Sequence, residues 1–266
     1  MAQTFETIDY RTEDHIAFVT MNRPERGNAI NYQMASELGQ VWALVQSDSD
    51  VRVAILTGAD DQAFTIGMDH DETRADQVLA KGSLSESPTG RMTPRRCKVW
   101  KPVIAAVNGE CAGNGGLALI MDCDVIIASE NATFFDNHVA WGSVIGTEST
   151  GLARRIPFGE VMRLVVTGGL DRMSARRAYE IGLVSEVVPQ ADLVQAARRL
   201  AAMVTRGAPL AVQGSVQVLW QGLEIPSRQA AIDNAVNVIL RNQATDDFKE
   251  GQQARRAGHS PSWRGR

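Results

Sequence analysis

Residues 101 to 116 read KPVIAAVNGECAGNGG, and the apolar stretch Leu117 to Met121 follows directly. A short β-branched apolar run bounded by Pro102 and Gly109 reads as a buried strand, and the glycines after it read as a turn into a helix. The same grammar occurs earlier: VRVAILTG (Val51 to Gly58) precedes DDQAFTIGMD (Asp60 to Asp69). Two strand-to-helix turns of one kind, in order along one chain, decide the class of fold.

Working outward, IAFVTM (Ile16 to Met21) reads as a further strand. Between it and VRVAILTG, the residues Leu38, Val41, Trp42 and Val45 recur at helical spacing within Ala35 to Val45. CDVIIAS (Cys123 to Ser129) and ATFF (Ala132 to Phe135) continue the strand pattern. Such alternation predicts an α/β core with largely parallel strands. After Gly151 the pattern turns helical, over 160–166, 174–181, 192–205, 210–223 and 228–243. Ser174 is placed to cap one helix and Gly182 to stop it, and LVSEVV (Leu183 to Val188) interrupts as a short strand. KGSLSESPTG (Lys81 to Gly90) reads as a loop or lid.

Bulk properties exclude several classes. The 266 residues suffice for a substantial core, and 44% hydrophobic with 22% charged residues is ordinary globular composition. A net charge of −4 leaves no electrostatic footprint for nucleic acid, although Arg95-Arg96 and Arg154-Arg155 form local basic pairs. No apolar run approaches the roughly 20 residues of a membrane span, and the N-terminus has no signal-like pattern, so no membrane partner and a cytoplasmic location are expected. Cys97, Cys111 and Cys123 lack metal or disulfide spacing and read as buried small residues. His15, His70, His138 and His259 are scattered, so no metal is expected.

Chemistry concentrates in three places. Small residues in the two glycine turns let a ligand approach the backbone, and free N–H groups at a helix start carry partial positive charge. The spacing of Gly113, Gly115 and Gly116 is not the G-x-G-x-x-G of a dinucleotide site. The third place is ATFFDNHVAWGSVIGTE (Ala132 to Glu148), with His138 after a strand and Glu148 at the end of a glycine-punctuated loop. Histidine suits proton transfer near neutrality, and either Glu148 or Asp136 could orient it.

NRPERGNAI (22–30), AFTIGMD (63–69), KPVIAAVNGECAGNGG (101–116), CDVIIASENATF (123–134) and RMSARRAYEIGLVSEVVP (172–189) together resemble the crotonase, or enoyl-CoA hydratase/isomerase, superfamily. The resemblance implies an α/β crotonase-like spiral of ββα units over 1–200 and a C-terminal helical trimerisation region over 201–266. It implies an acyl-CoA substrate, a homotrimer or hexamer, and no cofactor besides the coenzyme A of the substrate. By its motifs the thioester oxygen would be held by the N–H of Met68 and by that of Asn114 or Gly115. Arg23, Arg26 and Lys101 are the implied partners of the CoA phosphates, and backbone from Ala63 to Ile66 that of adenine. Asp69 matches a helix-entry cap.

The acid/base residues depart from the family pattern. One of its two glutamates falls at Leu117 or Ala118, and the other falls at His138, with Glu148 close to a position some branches use. Hydration of a 2-enoyl-CoA is the default expectation. Isomerisation, or hydrolysis of a C–C or thioester bond by His138 and Glu148, is the rival, and a non-catalytic acyl-CoA scaffold is the reading from another class.

Overall fold

The computed structural model describes residues 4–72, 87–146 and 148–266. Its strands are β1 (Ile8–Glu13), β2 (Ile16–Met21), β3 (Val53–Gly58), β4 (Ala63–Thr65), β5 (Val103–Val107), β6 (Glu110–Ala112), β7 (Val125–Ser129), β8 (Thr133–Phe135), β9 (Met173–Ser174) and β10 (Glu186–Val188). They form a larger sheet ordered β1-β2-β3-β5-β7-β10 and a smaller one ordered β4-β6-β8-β9. From β3 to β8 successive strands alternate between the sheets, so each cycle of the chain adds one strand to both. That alternation is the spiral.

In the larger sheet only the β1–β2 pair is antiparallel. Its strands read as unbroken apolar runs because both faces are covered. Ala17, Val19, Leu56, Ala105 and Ile126 belong to one cluster with Leu38, Val41 and Trp42 of α1 (Tyr32–Ser47). Their neighbours in sequence, Phe18, Ile55, Ile104 and Ile127, cluster with Leu193, Ala196 and Ala197 of the distant helix Leu193–Val204.

The passage from one sheet to the other needs glycine. A Cβ on Gly58 would collide with the carbonyl of Ala63, and one on Gly109 with that of Gln62. Two buried asparagines tie the same corner: Asn28 Nδ2 donates to Ala63 O at 2.8 Å, and Asn108 Nδ2 donates to it at 3.1 Å. Asn108 Oδ1 also accepts from Gly58 N at 3.0 Å.

The two glycine turns differ from the direct strand-to-helix turns expected. Each carries a three-residue strand, β4 or β6, before its glycine. Strands that short are too brief to show a period. The expected strand Leu183 to Val188 begins only at Glu186, because Leu183 and Val184 N–H groups both bond back to Ala178 O and close a helix end behind Gly182, which sits at φ +83°. Strand β1 is not among the expected strands; its charged residues Asp9, Arg11 and Glu13 are exposed and alternate with Ile8, Tyr10 and Thr12.

The remaining helices are α2 (Gly116–Met121), α3 (Glu148–Arg155), α4 (Phe158–Val166), α5 (Ala175–Glu180), α6 (Leu193–Val204), α7 (Pro209–Glu224), α8 (Arg228–Gln243) and α9 (Asp246–Ala257). Ser174 caps α5 as expected, its hydroxyl accepting from Arg177 N at 3.2 Å. The helices α7 and α8 pair with one another and leave Leu219, Leu223, Ile239 and Leu240 exposed. Of the expected loop or lid, Lys81 to Gly90, residues 81–86 lie outside the described residues.

Candidate active site

β4 and β6 are parallel neighbours, so the turns that follow them lie side by side. A Cβ on Gly67 would sit 2.6 Å from Gly113 O, and one on Gly115 would sit 3.3 Å from the Gly67 Cα. Gly67 has φ +102° and Gly115 has φ +146°, conformations that L side chains avoid. Close approach and backbone shape both require glycine here.

Ile30 fixes the first turn: its N–H donates to Gly67 O at 2.8 Å, and its carbonyl accepts from Asp69 N at 2.9 Å. Met68 N–H, lying between those two bonds, donates to no group among the described residues. The N–H groups of Asn114, which is left-handed at φ +54°, and of Gly115 are equally unengaged there. Unpaired N–H groups on two touching turns are what a developing oxyanion requires.

β8 pairs with β6 in parallel, and Gly113 N–H donates to Phe135 O at 2.7 Å. Residues 136 to 138 therefore leave the sheet beside the second turn. The Asp136 carboxylate fills the space a Gly113 side chain would need. Asp136 Oδ2 lies 2.8 Å from His138 Nδ1, and its Oδ1 accepts the His138 N–H at 3.1 Å. Asp136 is fully buried and His138 is 8% exposed.

With Nδ1–H donated to the carboxylate, Nε2 carries the lone pair; the tautomer follows from the partner. The hydrogen bond that Nδ1–H donates to Asp136 raises the His138 pKa above 6.5, against burial, and the charges of Asp136 and Glu148 add to the rise. Glu148, the first residue of α3, is 5% exposed and faces the histidine only through this field. It does not pair with Arg155, whose guanidinium instead donates to the carbonyls of Ile120, Met121 and Cys123 at the end of α2. Between Glu148 and Asp136, the open choice of orienting carboxylate falls geometrically to Asp136. Leu117 and Ala118 are buried and apolar, so no carboxylate stands at that family position.

The residues named for CoA divide. Lys101 is 4% exposed, and its amine donates to Val45 O at 2.8 Å and Asp48 O at 2.5 Å, capping the C-terminal end of α1. Arg23 is buried against Asp69 at 3.1 Å, Glu72 at 3.1 Å and Ala29 O at 2.8 Å. Both cations are committed inside the fold. Arg26 is more open and reaches Asp69 at 3.2 Å and Asp71 at 3.0 Å. Burial alone would raise the Asp69 pKa, but hydrogen bonds from Arg26, Arg23 and the Glu72 N–H hold it below the usual value. Asp69 thus anchors two arginines besides capping the turn at 71–72. Ala63 is buried on β4, while Ile66 is exposed and lies over Gly27.

Other expectations need adjustment. Cys97 is partly exposed where a buried residue was expected, its thiol pushed up to about 11 by desolvation, whereas Cys111 and Cys123 are fully buried. His70, for which the sequence suggests no role, has its Nε2 3.4 Å from Asn114 Nδ2 on the second turn. Among the described residues no three His, Cys, Asp or Glu side chains are grouped to hold a metal, and no helix is long and apolar enough to cross a membrane.

A two-sheet spiral with paired amide-bearing turns beside a buried histidine–carboxylate couple defines a class of protein that stabilises an oxyanion and moves a proton. The sequence profile described as Enoyl-CoA hydratase/isomerase matches residues 11–266, and the chain belongs to that family, the crotonase superfamily. Similar proteins include the (E)-benzylidenesuccinyl-CoA hydratase of Thauera aromatica, 35% identical over 97% of this chain and 99% of the relative. The short-chain-enoyl-CoA hydratase of Clostridium acetobutylicum is 35% identical over 80% of each chain. Among solved structures, an enoyl-CoA hydratase/isomerase from Mycobacterium paratuberculosis superposes with a TM-score of 0.89 at 36% identity, covering 99% of this chain and 100% of that one. The protein is accordingly an enzyme of the family, and its substrate is an acyl-CoA.

Proposed function

We propose that the protein adds water across the double bond of a 2-enoyl-CoA, with His138 as the proton carrier. Met68 and either Asn114 or Gly115 would donate N–H groups to the thioester oxygen. His138 Nε2 takes a proton from water as its oxygen bonds to C3; the C2–C3 π electrons move onto the thioester oxygen as an enolate. The imidazolium returns the proton to C2 as the enolate collapses, so one side chain serves both half-steps. Asp136 stabilises the imidazolium between them, and Glu148 adds to that field. The observation that carries this reading is the Asp136–His138 contact at 2.8 Å beside the second glycine turn.

Arg26 is the phosphate partner kept in this proposal, with Ala63 to Ile66 along the adenine and pantetheine path. No cofactor beyond the coenzyme A of the substrate is required by these steps. The free thiols fit a reducing, cytoplasmic setting. The exposed apolar residues of α7 and α8 support residues 201–266 as an assembly region on the 1–200 core, giving a trimer or hexamer that sedimentation analysis would detect.

Assay of the purified protein with crotonyl-CoA tests the reaction: hydration that His138→Ala slows by orders of magnitude is expected, and turnover undiminished in that variant would sink the assignment. The apolar Leu117 and Ala118 favour a second reading, in which the single histidine shuttles a proton between C2 and C4. Faster turnover of a 3-enoyl-CoA than of crotonyl-CoA would select it. If neither ester reacts, β-dicarbonyl substrates test C–C hydrolysis.

A further inference from the structure

The helices α2 and α3, which begin at the second turn and at Glu148, pack together where Gly151 lies against Met121. Beyond the chemistry they wall a cavity of about 240 Å³. Ala118, at one of the two positions of the missing family carboxylate, lines it, and so does Thr150, two residues after Glu148. The cavity therefore begins beside the reacting groups. At 1.5 Å per residue, Met121 at its far wall stands ~9 Å along α2 from Gly115. A self-contained small-ligand site measures ~300–1,000 Å³. A smaller cavity suits one end of a ligand whose remainder lies elsewhere.

The charge in this cavity is unbalanced. Arg95, Arg96, Arg154 and Arg155 all line it. Arg95 is committed to Asp124 at 2.6 Å and to Val99 O, and Arg155 to the carbonyls closing α2. Arg96 and Arg154 are exposed and make no hydrogen bond or ion pair among the described residues. Asp124, which does not itself line the cavity, also accepts from Trp220 Nε1 at 2.6 Å and Val103 N at 2.7 Å. Asp122 is bonded to Thr93 at 2.5 Å, and burial raises its pKa against the opposing pull of that bond and of the arginines. Asp122 and Glu224, the latter at the end of α7, are the carboxylates that line the cavity among the described residues.

Accepting the acyl-CoA reading above, we propose that this cavity is the distal acyl subsite and that Arg96 and Arg154 there bind a carboxylate at the far end of the acyl group. The preferred substrates are then CoA monothioesters of dicarboxylic acids. A guanidinium presents paired donors that match a carboxylate, and it stays charged at any physiological pH. The CoA phosphates are anions too, but among the described residues none before Thr93 lines this cavity, whereas the expected CoA path runs along Arg26 and Ala63 to Ile66.

Calorimetric titration of the full-length protein with succinyl-, glutaryl- and adipyl-CoA, each against the neutral ester of equal carbon number, tests the subsite without relying on turnover. At least one dicarboxylic ester is expected to bind tenfold or more tighter than its neutral counterpart. The double variant Arg96→Gln/Arg154→Gln is expected to lose that preference while keeping its affinity for butyryl-, pentanoyl- and hexanoyl-CoA. Equal affinity for every acid and neutral pair in the unmodified protein overturns the proposal. An equal weakening of both kinds of ester in the double variant also overturns it, since it assigns the arginines to CoA phosphate. Hydration of crotonyl-CoA by the same preparation reports separately on the reaction: turnover without an acid preference sinks the subsite alone, and an acid preference without turnover sinks the reaction alone.

Discussion

Asp136 holds His138 by two atoms at once: one carboxylate oxygen meets Nδ1 at 2.8 Å, and the other accepts the backbone N–H at 3.1 Å. The ring can neither flip nor swing without breaking a buried charge-assisted bond. Nε2 is the end of the imidazole left for substrate.

The pH dependence follows from that bond. His138 acts on water as the neutral ring, and its pKa is raised above 6.5, chiefly by the hydrogen bond to Asp136. Activity should fall as pH drops through that raised value. In Asp136→Asn the main cause of the rise is gone, so the acid limb of the kcat/KM profile should move to lower pH while kcat drops, by roughly 10²-fold or more. A profile with an unmoved limb would show that another group sets it.

His138→Ala should lower kcat by about 10²–10⁴, the usual range for a positioned acid–base group, with little change in acyl-CoA affinity. Pre-steady-state binding and turnover measured on one preparation separate the two effects. A loss confined to affinity would make the histidine a binding residue.

Glu148→Gln removes a charge from the field around His138 without altering shape. The expected result is a smaller loss of kcat than for Asp136→Asn, accompanied by a shift of the acid limb in the same direction. If Glu148 only begins α3, thermal stability should fall and the pH profile stay in place.

Gly67→Ala would push a methyl group to 2.6 Å from Gly113 O and demand φ +102° of an L residue. Displacing the first donor from its partner turn should cost about 10²–10³ in kcat, the range seen for loss of one oxyanion-hole donor. Crotonyl-CoA hydration by a variant that melts within a few degrees of the parent is the measurement.

Lys101→Met should destabilise the fold by roughly 1–3 kcal/mol, since the Val45 and Asp48 carbonyls at the end of α1 lose their buried donor. Denaturant unfolding measures this. The KM for acyl-CoA should not change, which distinguishes a cap from a phosphate ligand.

The large sheet was legible because Val103 to Val107 and its neighbours are covered on both faces, which writes each strand as one apolar run. β4 and β6 were not, because three residues between glycines carry no period. Asp136 and His138 stood two apart at a strand end, a spacing that allows contact but does not require it. The contact forms because the chain turns at His138, whose φ is −56°. The roles of Lys101 and Arg23 were hidden for another reason. Their partners, α1 carbonyls and the carboxylates at 69 and 72, lie dozens of residues away, and a cation beside a motif looks the same whether it meets solvent, ligand or protein.

The bond from Gly113 N–H to Phe135 O joins the turn that would cradle the electrophile to the strand that delivers the proton carrier. One partner in that joint is made of main chain, whose amides persist whatever side chains surround them. The proton carrier is a single side chain, His138, three residues beyond the end of β8. Such a division lets reaction type be rewritten at position 138 while the means of stabilising the intermediate passes unchanged from one version of the enzyme to the next.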